Sequence, residues 1–297
     1  MWTASLPGHP TLLLLPTVHL LAHEDPRIDA TLAELAGNVR AIVLEGPVSI
    51  ARDQLPLIER YGRYPASDNL TNHVKSMTPA ALAQCARDSD WNIVKFLQLK
   101  MWLAAGSLDA HRWRVADIST ARAGKDRGAT VWPGIDMRLQ ALAQKNRVPL
   151  IYLQTLDDAL KLMDAMPQEA QEAYLSAACA ALHGFPPGYA SIEVFQRAWT
   201  DADTATLERL VTTRAAGESE GLFESTEYIM AAGTRAFSAS IERDGYFYGK
   251  GPILVAVGAG HFFGPDSLID RLKQAGYTIT PAQHPAIVSR YLPKTAP

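Results

Sequence analysis

One segment restricts the fold more than any other: Ile253-Leu254-Val255-Ala256-Val257, followed by Gly258-Ala259-Gly260-His261. The apolar run is rich in β-branched residues and does not alternate with polar ones, so it reads as a strand covered on both faces. Such strands belong to parallel sheets flanked by helices. Gly258 and Gly260 then let the chain turn sharply and leave room for a ligand to approach the backbone. His261 follows at the carboxyl end of the strand, where open α/β sheets bind their ligands.

Two further strand ends carry ionisable groups. Leu12–Leu15 is an apolar run leading into Pro16-Thr17-Val18-His19, and Ala41–Leu44 is another that stops at Glu45-Gly46-Pro47. Between them Ile28, Leu32 and Leu35 recur at helical spacing and Gly37 supplies a helix stop. Residues 12–45 therefore form a βαβ unit with parallel strands. If all three strands lie parallel in one sheet, His19, Glu45 and His261 meet at one edge. Two imidazoles and a carboxylate are a donor set that divalent metals use, and the same set serves metal-free acid–base chemistry.

Composition narrows the function classes. Twenty-eight Lys and Arg against 31 Asp and Glu give a net charge of −3, without the basic surplus of a nucleic-acid-binding chain. No apolar run is long enough to span a bilayer: Leu12–Ala22 is broken by Pro16 and His19. The chain is expected to be soluble as written. Cys85 and Cys179 are far apart in helical segments and are expected to be small buried hydrophobes rather than a disulfide pair.

The remaining pattern is helical in two blocks, roughly 55–130 and roughly 167–245, within what is expected to be one domain over residues 1–297. Thr78-Pro79 opens a helix, and Asn92–Leu103 reads as one amphipathic helix. Trp132-Pro133-Gly134 reads as a turn before a helix that contains Asp136 in its first turn. Asp136 is either a helix-start charge or a hydrogen-bond partner of a histidine. Pro149–Leu153 and Tyr277–Thr280 are further strands, Phe185-Pro186-Pro187-Gly188 a turn with His183 before it, and Ser225–Glu242 a long helix holding Arg235. His9, His73 and His111 read as surface or structural, and His23 as a minor candidate beside the site edge. The expected fold is α/β (α+β): a central mixed, mostly parallel sheet, flanking helices, and a large helical insertion between two halves that each end in a histidine.

The segment ILVAVGAGHFFGPDSLIDRLKQAGYTITPAQ resembles the closing signature of the TraB/GumN family, which belongs with the Tiki proteases, and PGIDMRLQALAQKNRVPLIYLQTLDDALKLMDAMP resembles that family's central block. The family carries two G-x-x-H motifs and a glutamate after the second strand. Gly258–His261 is the second motif intact. Pro16-Thr17-Val18-His19 matches the first with proline for glycine, and Glu45 matches the glutamate. Trp199, Asp203 and Arg235 fall where the family has related residues, whereas Gln154 and Ala236 stand where it often has glutamate and asparagine. The resemblance implies a metal-dependent hydrolase, a peptidase using manganese, cobalt or zinc on a peptide or protein substrate. His19, Glu45 and His261 are then ligands or acid–base groups, Gly258, Gly260 and Arg235 contact substrate, and Arg235 either stabilises the oxyanion or binds a substrate carboxylate. The alternatives are a metal-free His–Glu hydrolase and a non-catalytic peptide-binding relative. Either a cell-envelope location, with Met1 marking a trimmed leader, or a cytoplasmic one is consistent with the resemblance.

Overall fold

The computed structural model describes residues 1–47, 51–122, 132–182, 191–214, 218–243 and 247–282. The chain opens with β1 (Trp2–Ser5), β2 (Leu12–Thr17) and the short β3 (Leu20–Leu21), then α1 (Pro26–Gly37) and β4 (Ala41–Leu44). A helical stretch follows: α2 (Leu55–Gly62), α3 (Pro79–Asp88), α4 (Ile93–Leu97) and α5 (Met101–Arg122). Next come β5 (Trp132–Pro133), α6 (Ile135–Asn146), β6 (Leu150–Tyr152), α7 (Leu156–Asp164), α8 (Gln168–Ala181), α9 (Ile192–Thr200), α10 (Thr204–Thr212) and α11 (Glu220–Arg243). The described chain closes with β7 (Ile253–Gly258), α12 (Leu268–Gln274) and β8 (Thr278–Pro281).

Six strands form the main sheet in the order β6-β4-β7-β2-β1-β8. The fold is therefore α/β, with a mixed sheet: β4, β6, β7 and β2 pair in parallel, and β1 pairs antiparallel with both β2 and β8. The two strands of the N-terminal βαβ unit are not neighbours, because β7 lies between them and pairs with each. Burial on both faces explains the unbroken apolar strands. Leu13, Leu15, Ile42, Leu44, Leu254 and Ala256 pack with α1 and α6. Leu12, Leu14, Val43, Ile253, Val255 and Val257 pack against residues of α11 and α12. A third cluster, built from α3, α4, α5 and α8, holds the helical region together.

Pro16 is tolerated within β2 because of the register. β1 runs along β2 only as far as Leu14. Pro16 pairs in parallel with Val257 on the β7 side, so the nitrogen that lacks a hydrogen faces the side on which β1 has ended. Its carbonyl accepts a hydrogen bond there from the Trp199 indole at 2.7 Å.

Several sequence expectations need correction. The expected Asn92–Leu103 helix is two helices, because residues 98–100 pair with the end of α2: Tyr64 N–H donates to Gln98 O at 2.9 Å and Lys100 N–H to Gly62 O at 2.8 Å. Val94, within that expected helix, is 71 % exposed. Trp132-Pro133 is a short strand rather than only a turn and pairs with β3. His73 and His111 are structural, as expected: His73 pairs with Asp68 at 2.7 Å, and His111 is buried. His183 and the turn at 185–188 lie outside the described residues.

The largest correction concerns the cysteines. Cys85 on α3 and Cys179 on α8 form a disulfide, with Cα atoms 5.5 Å apart. Packing of the third apolar cluster brings together two residues 94 positions apart, a proximity that spacing alone does not reveal. Closing a loop of that length restricts the unfolded chain and stabilises the fold by up to about 4.7 kcal/mol. Non-reducing peptide mapping is expected to recover the two cysteine peptides linked, and reduction to lower the thermal midpoint. Two free thiols in the air-oxidised chain would contradict the pairing.

Candidate functional site

The carboxyl ends of β2, β4 and β7 lie side by side, and the chain beyond each bears one of the ionisable residues. Thr17 pairs with Gly258 and Leu44 with Ala256. Glu45 therefore emerges beside the end of β7, His19 two residues past β2, and His261 in the 3-10 turn Ala259–Phe262. The Glu45 Oε1 atom accepts a hydrogen bond from the Gly258 N–H and lies 3.7 Å from His261 Nε2. A β-carbon placed on Gly258 would sit 3.0 Å from Glu45 Oε1 and 3.5 Å from His19 Nε2. Glu45 and His19 thus border the space beside Gly258, and Glu45 Oε1 links that space to His261 Nε2.

Gly258 serves by its size rather than by its backbone freedom. Its φ is −53°, open to any residue, and neither it nor Gly260 is among the glycines at positive φ. A side chain at Gly258 would crowd the carboxylate and His19, and one at Gly260 would come 2.6 Å from Met230 Sδ.

His19 is held by a clamp. β3 and β5 pair antiparallel through Leu20–Pro133 and Leu21–Trp132, and the Ile135 N–H donates to Val18 O at 3.0 Å. This brings the start of α6 against His19, with Gly134 at the helix start packed so tightly on the Val18–His19 backbone that a β-carbon there would overlap it. Asp136, one position into α6 and buried, then meets His19 Nδ1 at 2.7 Å. Gly134 caps the helix without a side-chain bond, so the Asp136 carboxylate partners the histidine while lying in the helix's first turn.

The two histidines have opposite electrostatics. The Asp136 hydrogen bond and charge, opposed by burial and assisted by the Glu45 charge, push His19 up to about 9. Its side chain is 67 % exposed, so solvent screens part of this attraction. Burial would raise the Asp136 carboxyl, but its hydrogen bond and attraction to His19 outweigh that and hold it below the ordinary value. His261 is 5 % exposed; burial lowers its pKa, only partly opposed by Glu45. Its Nδ1 lies 2.9 Å from the Thr234 hydroxyl, and Phe237 packs its ring edge-on at a centroid distance of 4.8 Å.

The donor set fits a divalent ion in kind. Each histidine has Nδ1 engaged by the protein and presents Nε2, an arrangement typical of ligating imidazoles, and Glu45 adds an anionic oxygen. Among the described residues, however, no group of three His, Cys, Asp or Glu is drawn close enough to hold an ion as it stands. Arg235 lies on α11 next to Thr234, exposed, and no hydrogen bond or ion pair ties its side chain to His19, Glu45 or His261. Gln154 flanks Glu45: its N–H donates to Glu45 O at 2.9 Å, and its buried Oε1 has no partner among the described residues. His23 is held instead by Gln196, whose Oε1 accepts from the Ala22 and His23 amides at 2.7 and 3.2 Å. Sequence reading missed Thr234, Gly233 and the β3–β5 clamp. The first two lie at helical spacing from Met230 and Phe237, a signal that was available.

The profile of the TraB/PrgY/gumN family matches residues 1–281. The chain belongs to that family. No curated protein and no solved structure matches it. Among the described residues no helix is long and apolar enough to cross a membrane.

Two outcomes follow from the clamp. In the chelator-treated chain, Asp136→Asn is expected to bring the His19 pKa down from about 9 towards the ordinary 6.5, read by NMR titration. Because the folded value lies above the ordinary one, the pair's contribution to stability is complete below pH 6.5 and is lost as pH rises through about 9. The wild type should therefore lose stability relative to Asp136→Asn across that window, and parallel stability profiles would refute the assignment. Gly134→Ala, which forces a methyl group into the backbone of His19, is expected to destabilise the fold by about 1–3 kcal/mol in chemical denaturation.

Proposed function

We propose that the chain is a hydrolase that uses a divalent ion, manganese, cobalt or zinc, held by His19, Glu45 and His261, to cleave a peptide bond. The observation that supports this reading is the position of Glu45 Oε1, which borders the space beside Gly258 together with His19 Nε2 and lies 3.7 Å from His261 Nε2. A bound ion supplies Lewis acidity to a carbonyl oxygen and to an attacking water. Glu45, with one oxygen already accepting from the Gly258 N–H, has its other oxygen available to take a proton from that water. Asp136 orients the His19 ring by accepting from Nδ1–H, which turns Nε2 towards the ion. Arg235, exposed one residue beyond Thr234, suits a substrate carboxylate. The likeness to Tiki proteases supports a peptide as the substrate class, and the Cys85–Cys179 disulfide supports an oxidising compartment such as the cell envelope.

A second reading keeps the residues without the ion. It is favoured by the absence of a three-donor cluster among the described residues and by the elevated pKa of His19. In that reading a protonated His19 beside an ionised Glu45 forms an acid–base pair, with Glu45 activating water and His19 donating to the leaving amine.

The test is peptide-library digestion by the full chain, after chelation and after reloading with manganese, cobalt or zinc. Cleavage should depend on the added ion, and Glu45→Gln should lower turnover by about 10²–10⁴-fold. Chelator-resistant cleavage that is lost in His19→Ala would favour the metal-free reading. No cleavage under any condition, with peptides still bound, would leave a binding protein and overturn both.

A further inference from the structure

Met230, Gly233, Thr234 and Phe237 recur on α11 at the i, i+3, i+4, i+7 spacing of one helix face. All four meet the turn that carries His261. Met230 Sδ lies beneath Gly260, and a β-carbon on Gly233 would come 2.9 Å from His261 Cε1. Thr234 meets Nδ1, and Phe237 meets the ring edge. The long helix thus supplies a fitted cradle for one imidazole.

Within that cradle the proton of the Thr234 hydroxyl is already assigned. The hydroxyl donates to the Met230 carbonyl one turn back at 2.7 Å, a habit of threonine within helices. A hydroxyl has one hydrogen to give. The 2.9 Å contact with His261 Nδ1 must therefore be one in which the ring N–H donates and the threonine oxygen accepts.

We propose that Thr234 is a positioning residue that fixes His261 as the Nδ1–H tautomer and leaves Nε2 as a bare acceptor turned towards Glu45. Nε2 and Glu45 Oε1 then face each other across 3.7 Å, both as acceptors. Only a cation or a hydrogen-bond donor fits between two such atoms, so Thr234 prepares the position that the proposed function assigns to the ion, and the inference rests on that reading. Serine keeps the hydroxyl and with it the tautomer. Valine keeps the shape but removes the hydroxyl oxygen, leaving the ring N–H only the Met230 carbonyl nearby.

The experiment is long-range ¹H–¹⁵N NMR of histidine-labelled full chain after chelation, with His261 assigned by its loss in His261→Gln, followed by cobalt titration. In the wild type and in Thr234→Ser the Nδ1–H tautomer is expected to dominate. Thr234→Val should shift His261 towards the other tautomer and weaken cobalt binding by roughly 10–100-fold. A wild-type His261 protonated at Nε2 alone, or a tautomer unchanged in a folded Thr234→Val, would overturn the proposal. The tautomer decides this inference and Glu45-dependent cleavage decides the function. A confirmed tautomer in a chain that neither binds cobalt nor cleaves peptides would therefore support the role of Thr234 while removing the metal-dependent reading.

Discussion

The parallel pairing of β7 with both β2 and β4 is the constraint on which the rest depends. It joins residues 253–258 to residues 12–17 on one side and to 41–44 on the other, so the sheet cannot be completed until the C-terminal part of the chain has arrived. The same pairing aligns three strand ends and delivers three side chains to one edge. The fold's most distant contacts and its candidate chemistry are therefore the same event. A slip of one residue in β7 would turn Leu254 and Ala256 away from α1 and α6 and would also move Gly258 from beneath the Glu45 carboxylate.

The arrangement separates two chemically identical side chains by their surroundings. His19 stands in the open, tethered to Asp136 and pushed up to about 9. His261 is enclosed by α11 and pushed downward by burial. One imidazole favours its charged form and the other its neutral form, with a carboxylate between them. Acid–base assignments in enzyme sites commonly arise in this way, from environment rather than residue type.

The edge residues were legible in the sequence because they follow directly from strand-length apolar runs. Ile253–Val257, Leu12–Leu15 and Ala41–Leu44 announce their strands by unbroken apolar runs, and the next ionisable residue in each case lies at the shared edge. What the sequence hid was whatever depends on contact between distant segments. Trp132-Pro133 looks like a turn until β3 pairs with it, and the break between α4 and α5 exists because the end of α2 binds residues 98–100. Cys85 and Cys179 look like independent core residues until α3 and α8 pack. Gly258 and Gly260 read as serving both a sharp turn and close approach, and the physical need at both is space.

The helical region is coupled to the site through a chain of rigid contacts. The disulfide ties α8 to α3, and α8 in turn packs on α11 so closely that a β-carbon on Gly221 would come 2.7 Å from the Ala173 methyl. Some three turns further along, the same helix cradles His261. Bulk at that α8–α11 contact would have to be absorbed either by separation of the two helices or by movement of α11. The second route would carry Gly233 and Thr234 with it and disturb the ring that depends on them. Helices that contribute no ionisable group to the edge thus bear on its geometry, because close-packed interiors transmit strain instead of dissipating it.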